Sequence, residues 1–478
     1  MSIRPFRTPK ATWQFGLLAH LRGRFQRGIH SQKEEIQGYC VFRRRDFVIF
    51  AGRNDFNFLC PLKDISVPMS RPKFIRLLSD PRFTLAVWGV LLVLACLRVF
   101  HGSDAINNYL IFERSWDHLF SGTDLYAYYP EEYHDHFLYG PLFAVLIAPL
   151  SLLPTWPGMW LWLTCGMGLM LLAVYALRDR LSGTKTAVFM WIVANEVYLA
   201  LLMQQYNLYV AALLLLAFVC VEKDLPGLFA LIIVVGLLTK IYGAMGILLF
   251  PFLNRKKEAV ILGLTFFVVL ILLPALLTKG GWTYLESQYR SWFETLVSKN
   301  GDNLYAGQQN LGLLGMVRKT LGLPPSFSDL YLMIPGGILL LLPLVRRAQY
   351  GSVAFRSLYL SSIALFTVLF CTGTESNTYI IGYIGIALWF AAYRTGGSLA
   401  EQILFWGALF FSFSTSDLLP HDLRYDIIQP YALKALFPSL IWFYLIYRLL
   451  THDFGSDTAG VQTPSRVGEV RRDAHYAA

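Results

Sequence analysis

Two charged residues at the edges of apolar runs are the first candidates for chemistry. Asp104 follows the first long apolar run almost at once, in HGSDAINNY, and Lys240 lies within a later run, in GLLTKIYGAMG. A carboxylate at a membrane boundary is costly unless it is solvated or used. Asp104 is therefore either a general base that faces an outer cavity or a solvated loop acid. Lys240 either extends its ammonium group to the interface or binds an anion.

Other polar side chains stand where apolar runs or loops begin or end: Gln204, Gln205, Asn207, Gln308, Glu375 and Asn377. For the first three, hydrogen bonding at a helix end is the alternative to substrate contact. The six cysteines show no CxxC spacing, and four of them fall in apolar runs, so we interpret them as packing residues. His134 and His136 form no metal motif, and the sequence contains no nucleotide-binding loop. We expect neither a metal nor a cofactor.

The composition places these residues in a membrane protein. Of the 478 residues, 55% are hydrophobic and only 15% are charged, and the mean hydropathy is +0.47. Soluble domains are usually about 45–50% apolar and about 25% charged. The values predict a polytopic membrane protein.

Residues 1–68 differ from the rest of the chain, because they carry a net charge of +7 and contain no run long enough to span a membrane. We interpret them as a basic tail, either disordered or upstream of the true start at Met69, with a small folded basic domain as the alternative. Residues 69–452 then form one transmembrane domain, and 453–478 form a disordered cytoplasmic tail. A basic segment can bind nucleic acid or anionic lipid. In a membrane protein it more often marks the cytoplasmic side, so we expect no nucleic-acid partner.

The apolar runs predict an all-α fold of about twelve membrane-crossing helices. They cover residues 84–100, 138–153, 158–177, 187–203, 207–221, 226–253, 259–277, 331–345, 354–371, 378–393, 401–417 and 431–449. Because Lys and Arg mark cytoplasmic ends, the start of the first run lies inside and the acidic loop 101–137 lies outside. Inside segments are also predicted at 255–257, 346–347, 394 and 471–472, and outside loops at 278–330, 372–377 and 418–430.

Two arrangements connect residue 101 outside to residue 254 inside. In the first, 138–153 crosses fully and 226–253 is one helix, which leaves four cations outside: Arg178, Arg180, Lys185 and Lys223. In the second, 138–153 only dips into the membrane and 226–253 breaks near Lys240, so those cations turn inward. We favour the second arrangement because the segment around 138–153 is short and rich in proline.

The two long outer loops contain amphipathic helices by their spacing. In the first loop the apolar positions are Tyr109, Phe112, Trp116, Leu119 and Phe120. In the second loop they are Trp282, Leu285, Tyr289, Trp292, Phe293 and Leu296. Such helices either lie in the membrane interface or pack onto the protein itself.

A series of weak motifs runs along the chain in a defined order. An Asp follows the first span, and G-x-D-L-Y comes next. Tyr-x-Pro-Leu then precedes an apolar stretch that ends Pro-Leu-x-x-Leu-Pro, and Gln-x-Asn, an intramembrane Lys and a basic loop follow. This order resembles glycosyltransferase family 87 over about residues 80–450. The resemblance implies a GT-C membrane fold and the transfer of mannose from polyprenyl-phosphate-mannose on the extracytoplasmic face.

The resemblance also implies roles for individual residues. Asp104 matches the catalytic aspartate, Asp124 and Tyr126 match the G-x-D-L-Y motif, and Lys240 matches the intramembrane lysine. The further substrate contacts that we predict are Tyr139, Gln205, Asn207, Gln308, Glu375 and Asn377. The sequence departs from the family pattern at Gly140 and Ile241, where proline is common, at Gln204, where glycine is usual, and around 375–377, where some members have histidine.

The predicted function is that of an inverting hexosyltransferase in a bacterial plasma membrane. The resemblance implies that it moves mannose from a polyprenyl-phosphate donor to an extracytoplasmic glycan or glycolipid. Membrane lipid is expected to surround the protein. Asp104 would take the acceptor proton, and Lys240, with Arg290 or Arg318, would hold the leaving phosphate. For the two arginines, a solvated loop cation is the alternative. A polytopic transporter or lipid flippase is the alternative function, and a non-catalytic assembly subunit is a third.

Overall fold

The computed structural model describes residues 73–455, except 180, 182, 394–396 and 417, together with the strand residues 35–36, 39–44, 47–51 and 59–60. The chain forms two compact units, Met1–Pro72 and Lys73–Ala478. Most of the predicted tails 1–68 and 453–478 lies outside the described residues, as do Arg180 and Arg394. The domain bounds placed at these tails stay predictions.

The first unit contains four short antiparallel strands in the spatial order β1-β2-β3-β4. They are β1 (Glu35–Ile36), β2 (Tyr39–Arg44), β3 (Phe47–Ala51) and β4 (Leu59–Cys60). The pair β2–β3 is the longest, with Cys40 opposite Ala51 and Arg44 opposite Phe47. Aromatic and β-branched residues, which favour strands, make up much of this pair.

The second unit is built from helices, which confirms the predicted all-α membrane fold for this part of the chain. They are α1 (Lys73–Leu78), α2 (Pro81–Cys96), α3 (Asn107–Ser121), α4 (Pro141–Ser151), α5 (Thr155–Ala176), α6 (Thr184–Leu202), α7 (Asn207–Glu222), α8 (Pro226–Thr239), α9 (Lys256–Leu277), α10 (Gly281–Asn303), α11 (Leu313–Leu321), α12 (Leu330–Leu341), α13 (Val353–Leu369), α14 (Tyr379–Leu388), α15 (Leu399–Ser412) and α16 (Leu436–Thr451). Short 3₁₀ turns join several of them, including Ser376–Thr378 and Leu433–Ala435.

Within the described residues, four helical segments are long and apolar enough to cross a membrane, and seven shorter apolar helices accompany them. The four are Thr155–Ala176, Thr184–Leu202, Lys256–Leu277 and Leu433–Thr451. The count of twelve spans stays a prediction.

Burial separates the helices of the interior from those at the edge. Every residue of α14 is buried, whereas α9 exposes apolar side chains such as Ile261 and Leu264 to 65% and 63%. An apolar helix with one exposed face is stable next to lipid, where such side chains need no protein partner. We therefore assign α9 to the lipid-facing edge of the bundle and α14 to its centre.

The run 226–253 is a hairpin and not one helix. The helix α8 ends at Thr239, Lys240 has extended backbone, and a 3₁₀ segment covers Ile241–Phe252. The two ends of the run meet, because the Asp224 carboxylate accepts hydrogen bonds from the backbone N–H of Asn254 at 3.1 Å and of Arg255 at 3.4 Å. The break near Lys240 that the second arrangement predicts is confirmed, and the continuous helix is excluded.

Glycine permits the close approach of the two hairpin legs. A Cβ atom on Gly236 would lie 2.4 Å from the carbonyl oxygen of Gly243 on the opposite leg. Only a residue without a side chain fits at this distance.

The run 138–153 forms only the short helix α4. Its 11 residues reach about 16 Å at the usual rise of an α-helix, which is too short to cross a bilayer of about 30 Å. Pro141 begins the helix, where its missing N–H is tolerated, and Pro149 lies inside it. This is the partial helix that the second arrangement predicts.

The two predicted amphipathic helices are α3 and α10. In α3, Tyr109, Phe112 and Leu119 are buried against the rest of the protein. In α10, Leu285 and Trp292 are buried, whereas other aromatic positions such as Phe293 are exposed. The interpretation that such helices pack onto the protein therefore holds for the inner face of both.

Candidate active site

A cavity of about 740 Å³ lies where the turn of the hairpin meets α3, α10 and the chain around 371–378. Five of the predicted site residues line it: Tyr139, Gln205, Asn207, Lys240 and Glu375. They come from four separate places in the sequence, and the hairpin turn brings Lys240 to the same end of the bundle as the others.

Lys240 is held among neutral oxygen atoms and aromatic rings. Its ammonium group donates to Asn207 Oδ1 at 3.1 Å and to the Tyr139 hydroxyl at 3.3 Å. It also lies 4.9 Å from the ring centres of Tyr139 and Tyr242. Among the described residues, no carboxylate oxygen lies within the 4.0 Å of an ion pair with Lys240. A cation in this position favours an anionic ligand.

Asn207 connects Lys240 to the opposite wall of the cavity. Its Oδ1 accepts from the Tyr242 hydroxyl at 2.6 Å as well as from Lys240. Its Nδ2 donates to Asn377 Oδ1 and to Thr378 Oγ1, both at 3.3 Å. Asn207 and Asn377 are buried to 1% and 6% exposure, so their hydrogen bonds act in a medium of low dielectric.

Glu375 completes the chain of hydrogen bonds on the far side. Its carboxylate accepts from Asn377 Nδ2 at 3.0 Å and from Gln309 Nε2 at 3.4 Å. Burial raises the pKa of the Glu375 carboxyl above its usual range, and the Asn377 amide and the nearby Lys240 charge oppose this rise. We refer to Lys240, Asn207, Asn377, Glu375 and Gln309 as the polar network.

Backbone contacts fix the position of Tyr139 in the cavity wall. The N–H of Gly140 donates to the carbonyl of Thr239, at the end of α8, at 3.0 Å. A Cβ atom on Gly140 would lie 2.1 Å from the carbonyl oxygen of Leu238. The departure from the family pattern at position 140 therefore has a local reason, since glycine permits this close approach.

Of the other predicted residues, Arg318 also lines the cavity, whereas the rest lie outside its lining: Asp104, Asp124, Tyr126, Gln308 and Asn377. Asp104 is 88% exposed, and its carboxylate lies 3.6 Å from His134 Nε2. Gln308 is also exposed, whereas the next residue, Gln309, belongs to the polar network. Asn108, four residues beyond Asp104, lines the cavity, as does Asp135, the neighbour of the His134 that Asp104 contacts. We refer to this position of Asp104, next to the lining but not part of it, as the rim of the cavity.

Asp124 and Tyr126 brace the first loop. Asp124 Oδ1 accepts from the backbone N–H of Tyr126 at 3.1 Å. The buried Tyr126 hydroxyl donates to the carbonyl of Tyr139 at 2.8 Å. We refer to Asp104, Asp124 and Tyr126 as the first-loop group.

Sequence reasoning missed an ion pair in the cavity. Asp135 and Lys299 both line it, 2.8 Å apart. Asp135 has a backbone φ of 86°, which is uncommon for a residue other than glycine and often accompanies a functional site. Both residues stand among other charged residues of their loops, and nothing in the sequence indicates that these two form a pair.

The two arginines considered as phosphate ligands have other partners. Arg318 is buried, and it donates to the carbonyls of Pro324 and Phe327 and to Asp329 Oδ1, the last at 2.6 Å. Arg290 is 71% exposed and pairs with Glu286 at 3.5 Å. The prediction of a solvated loop cation thus describes Arg290, whereas Arg318 holds the loop that follows α11.

The middle of the chain is similar to a known protein family. Residues 137–372 match the model of glycosyltransferase family 87. This match confirms the family resemblance predicted from the sequence, and the family implies a membrane glycosyltransferase. No curated protein matches it.

The matched segment contains most of the cavity residues discussed above, including Tyr139, Asn207 and Lys240. Asp104 and Glu375 lie outside this segment. Within the described residues, no cluster of three or more His, Cys, Asp or Glu side chains could hold a metal ion.

Proposed function

We propose that this glycosyltransferase moves a hexose from a polyprenyl-phosphate donor to a hydroxyl group of a glycan or glycolipid, with inversion at the anomeric carbon. The observation that carries the proposal is Lys240, a half-buried cation without a carboxylate partner in the described residues, at the polar end of a large cavity. A phosphate oxygen would complete its hydrogen bonding. The choice of mannose as the hexose follows the family resemblance.

The shape of the cavity supports a donor with an apolar chain. Besides the polar network, the lining includes apolar side chains: Ile241, Met245, Leu330, Met333, Phe366 and Phe370. Ile241 and Leu330 are also 52% and 56% exposed on the outer surface. The apolar wall therefore continues from the cavity to the surface, where an isoprenoid chain would remain in contact with lipid.

The proposed reaction is a single displacement. The acceptor oxygen forms a bond to the anomeric carbon while the bond from that carbon to the phosphate oxygen breaks, and the phosphate keeps the electron pair. Lys240 stabilises the charge that grows on the phosphate. A positioned carboxylate takes the acceptor proton, which contributes on the order of 10²–10⁴-fold. We propose Asp104 at the rim for this role, and Asp135 in the lining is the competing carboxylate.

The distribution of arginines between the two ends of the helix bundle supports an extracytoplasmic site. Arg255, Arg346 and Arg356 lie at helix ends away from the polar network, and Arg356 is paired with Glu222 at the end of α7. Cationic ends face the cytoplasm by the positive-inside rule. The opposite end, which contains Lys240, then faces the outside.

The decisive experiment measures the fate of the donor. Purified protein in lipid nanodiscs receives radiolabelled polyprenyl-phosphate-mannose and a lipid extract as the acceptor source. We expect labelled glycolipid and free polyprenyl phosphate, both strongly reduced in Lys240→Gln. Intact donor after long incubation would instead favour the transporter or flippase. Repeating the assay with the glucose-linked donor tests the identity of the hexose.

Cysteine labelling tests the orientation. In a chain without native cysteines, Asp224→Cys should resist a membrane-impermeant thiol reagent added from outside, whereas Asn300→Cys should react, because it lies in the cavity lining and is exposed. The reverse pattern would place the cavity on the cytoplasmic side.

A further inference from the structure

A second buried pair of charges lies behind the polar network. Lys434 Nζ lies 3.0 Å from Glu196 Oε1, and the two side chains are 3% and 0% exposed. Glu196 belongs to α6, and Lys434 belongs to the 3₁₀ turn that precedes α16. Neither residue lines the cavity.

The partners of this pair are arranged to hold it in one place. Ser412 Oγ donates to Glu196 Oε1 at 2.6 Å, and Asn195 Nδ2 in turn donates to Ser412 Oγ at 3.0 Å. The ring of Tyr379 lies 4.9 Å from Lys434 Nζ. A buried ion pair is seldom more stable than apolar side chains of similar volume, so the stability of the fold alone does not explain it.

The third partner of Lys434 lies in the turn that carries Glu375, a residue of the cavity lining. Lys434 Nζ donates to Ser376 Oγ at 2.8 Å and to the Ser376 carbonyl at 3.1 Å. Ser376 stands between Glu375 and Asn377, both of which belong to the polar network. One ammonium group thus holds the middle of the turn, while Asn377 accepts a hydrogen bond from Asn207 and Glu375 accepts one from Asn377.

We infer that the Glu196–Lys434 pair is a positioning device for glycosyl transfer, which fixes Ser376 and thereby directs Glu375 and Asn377 into the polar network. The inference rests on the proposed function. The pair touches no substrate and acts through the turn. Because a shift of about 1 Å at a reacting site can lower a rate by about 10²-fold, loss of the device should lower kcat while the protein stays folded.

A variant that lacks both charges of the Glu196–Lys434 pair separates an effect on kcat from an effect on the stability of the fold. A single substitution leaves an unpaired buried charge and is expected to destabilise the protein strongly. The double variant Glu196→Gln/Lys434→Met leaves no unpaired charge and should unfold near the wild-type temperature. We expect its kcat to fall by about tenfold to a hundredfold, with a smaller change in KM for the donor.

The Glu222–Arg356 pair provides a matched control. It is also largely buried, at 8% and 15% exposure, with a second hydrogen bond of 3.0 Å. Arg356 lies in the first turn of α13, and Thr367 on the same helix lines the cavity about 16 Å further along. The variant Glu222→Gln/Arg356→Met should keep the wild-type kcat, because its pair does not contact the turn.

Hydrogen exchange provides a readout that does not depend on the reaction. Amides of residues 372–378 should exchange faster in Glu196→Gln/Lys434→Met than in the wild type or in the control variant. Wild-type exchange together with wild-type kcat in the double variant would overturn the inference. A wild-type protein that transfers no sugar would refute the proposed function instead, and the exchange measurement would still decide whether the pair holds the turn.

A milder variant covers the case in which the double variant does not fold. Ser376→Ala removes the 2.8 Å hydrogen bond to Lys434 and keeps the pair. A hydrogen bond to a charged group is worth about tenfold to a hundredfold. Because the 3.1 Å bond from Lys434 to the Ser376 carbonyl remains, we expect kcat to fall by only about threefold to tenfold, with faster exchange at 372–378. An unchanged kcat in Ser376→Ala would overturn the inference.

Discussion

The polar network and the first-loop group differ in how the protein holds them. Asn207 and Asn377 are buried and hydrogen-bonded to residues far away in the sequence. Asp104 is 88% exposed and has one weak contact with a histidine. A preorganised group stabilises a transition state without reorganisation, whereas an exposed carboxylate must be ordered when the substrate binds. The network is therefore suited to holding charge, and the rim is suited to receiving an incoming acceptor.

The largest effect is expected at the carboxylate that takes the proton. Asp104→Asn keeps the size of the side chain but cannot accept a proton, so transfer should fall by about 10²–10⁴-fold. Asp117→Asn is the control, since Asp117 is 56% exposed and pairs with Arg114 on the same helix. Transfer is measured as release of polyprenyl phosphate.

The same assay on Asp135→Asn distinguishes Asp104 from Asp135 as the residue that takes the proton. More than about a tenth of wild-type transfer in Asp104→Asn, with a large loss in Asp135→Asn, would move the base from the rim to the cavity. It would also mean that the exposed region has no chemical role.

The next largest effect is expected at the cation of the polar network. A charged hydrogen bond is worth roughly 1.5–3 kcal/mol, so Lys240→Gln should weaken donor binding by about tenfold to a hundredfold. Lys240→Arg should retain part of the affinity, because the charge remains while the geometry changes. Binding of labelled polyprenyl phosphate measures the effect. The control is Lys279→Gln, because Lys279 is exposed. Equal affinity in the two variants would show that Lys240 does not bind the phosphate.

A smaller effect is expected where the first loop is braced. Tyr126→Phe removes the hydrogen bond to the carbonyl of Tyr139 and should lower stability by about 1 kcal/mol. Thermal unfolding in detergent detects this change, and transfer should stay within about tenfold of the wild type. A loss of transfer as large as that in Lys240→Gln would show that Tyr126 contacts the substrate. Tyr126 would then take part in the reaction and not only hold the loop in place.

The smallest effect is expected from removal of the first 68 residues. A chain that starts at Met69 should insert, purify and transfer sugar like the full chain, because residues 1–68 contain no apolar span. Expression and transfer of the two chains are compared directly. Loss of either would assign a necessary role to the first 68 residues.

The sequence predicted best what depends on local patterns. Lys240 within an apolar run and the prolines around 138–153 predicted the broken hairpin and the partial helix, because one charge or one proline changes the stability of a helix in lipid. The spacing of aromatic residues predicted α3 and α10 for the same kind of reason.

Contacts between distant segments could not be predicted in this way. The hydrogen bond from Asn207 to Asn377 joins residues 170 positions apart, and no local pattern encodes it. Glu196 and Lys434 lie in or beside apolar runs, but nothing in either run shows that the other supplies its counter-charge. The left-handed backbone of Asp135 is likewise a product of the folded loop.

The lengths of the two hairpin legs have a consequence for the bilayer. The 14 residues of α8 rise about 21 Å, and the 12 residues of the 3₁₀ segment rise about 24 Å. Both are shorter than a hydrocarbon layer of about 30 Å. In the proposed orientation, the loop ends lie at the cytoplasmic interface, and Lys240 would lie several ångströms below the outer surface of that layer. The bilayer must become thinner around the cavity, or the donor phosphate must sink to reach the lysine. Membrane thickness is then a determinant of the transfer rate, and lipids with shorter chains should accelerate it.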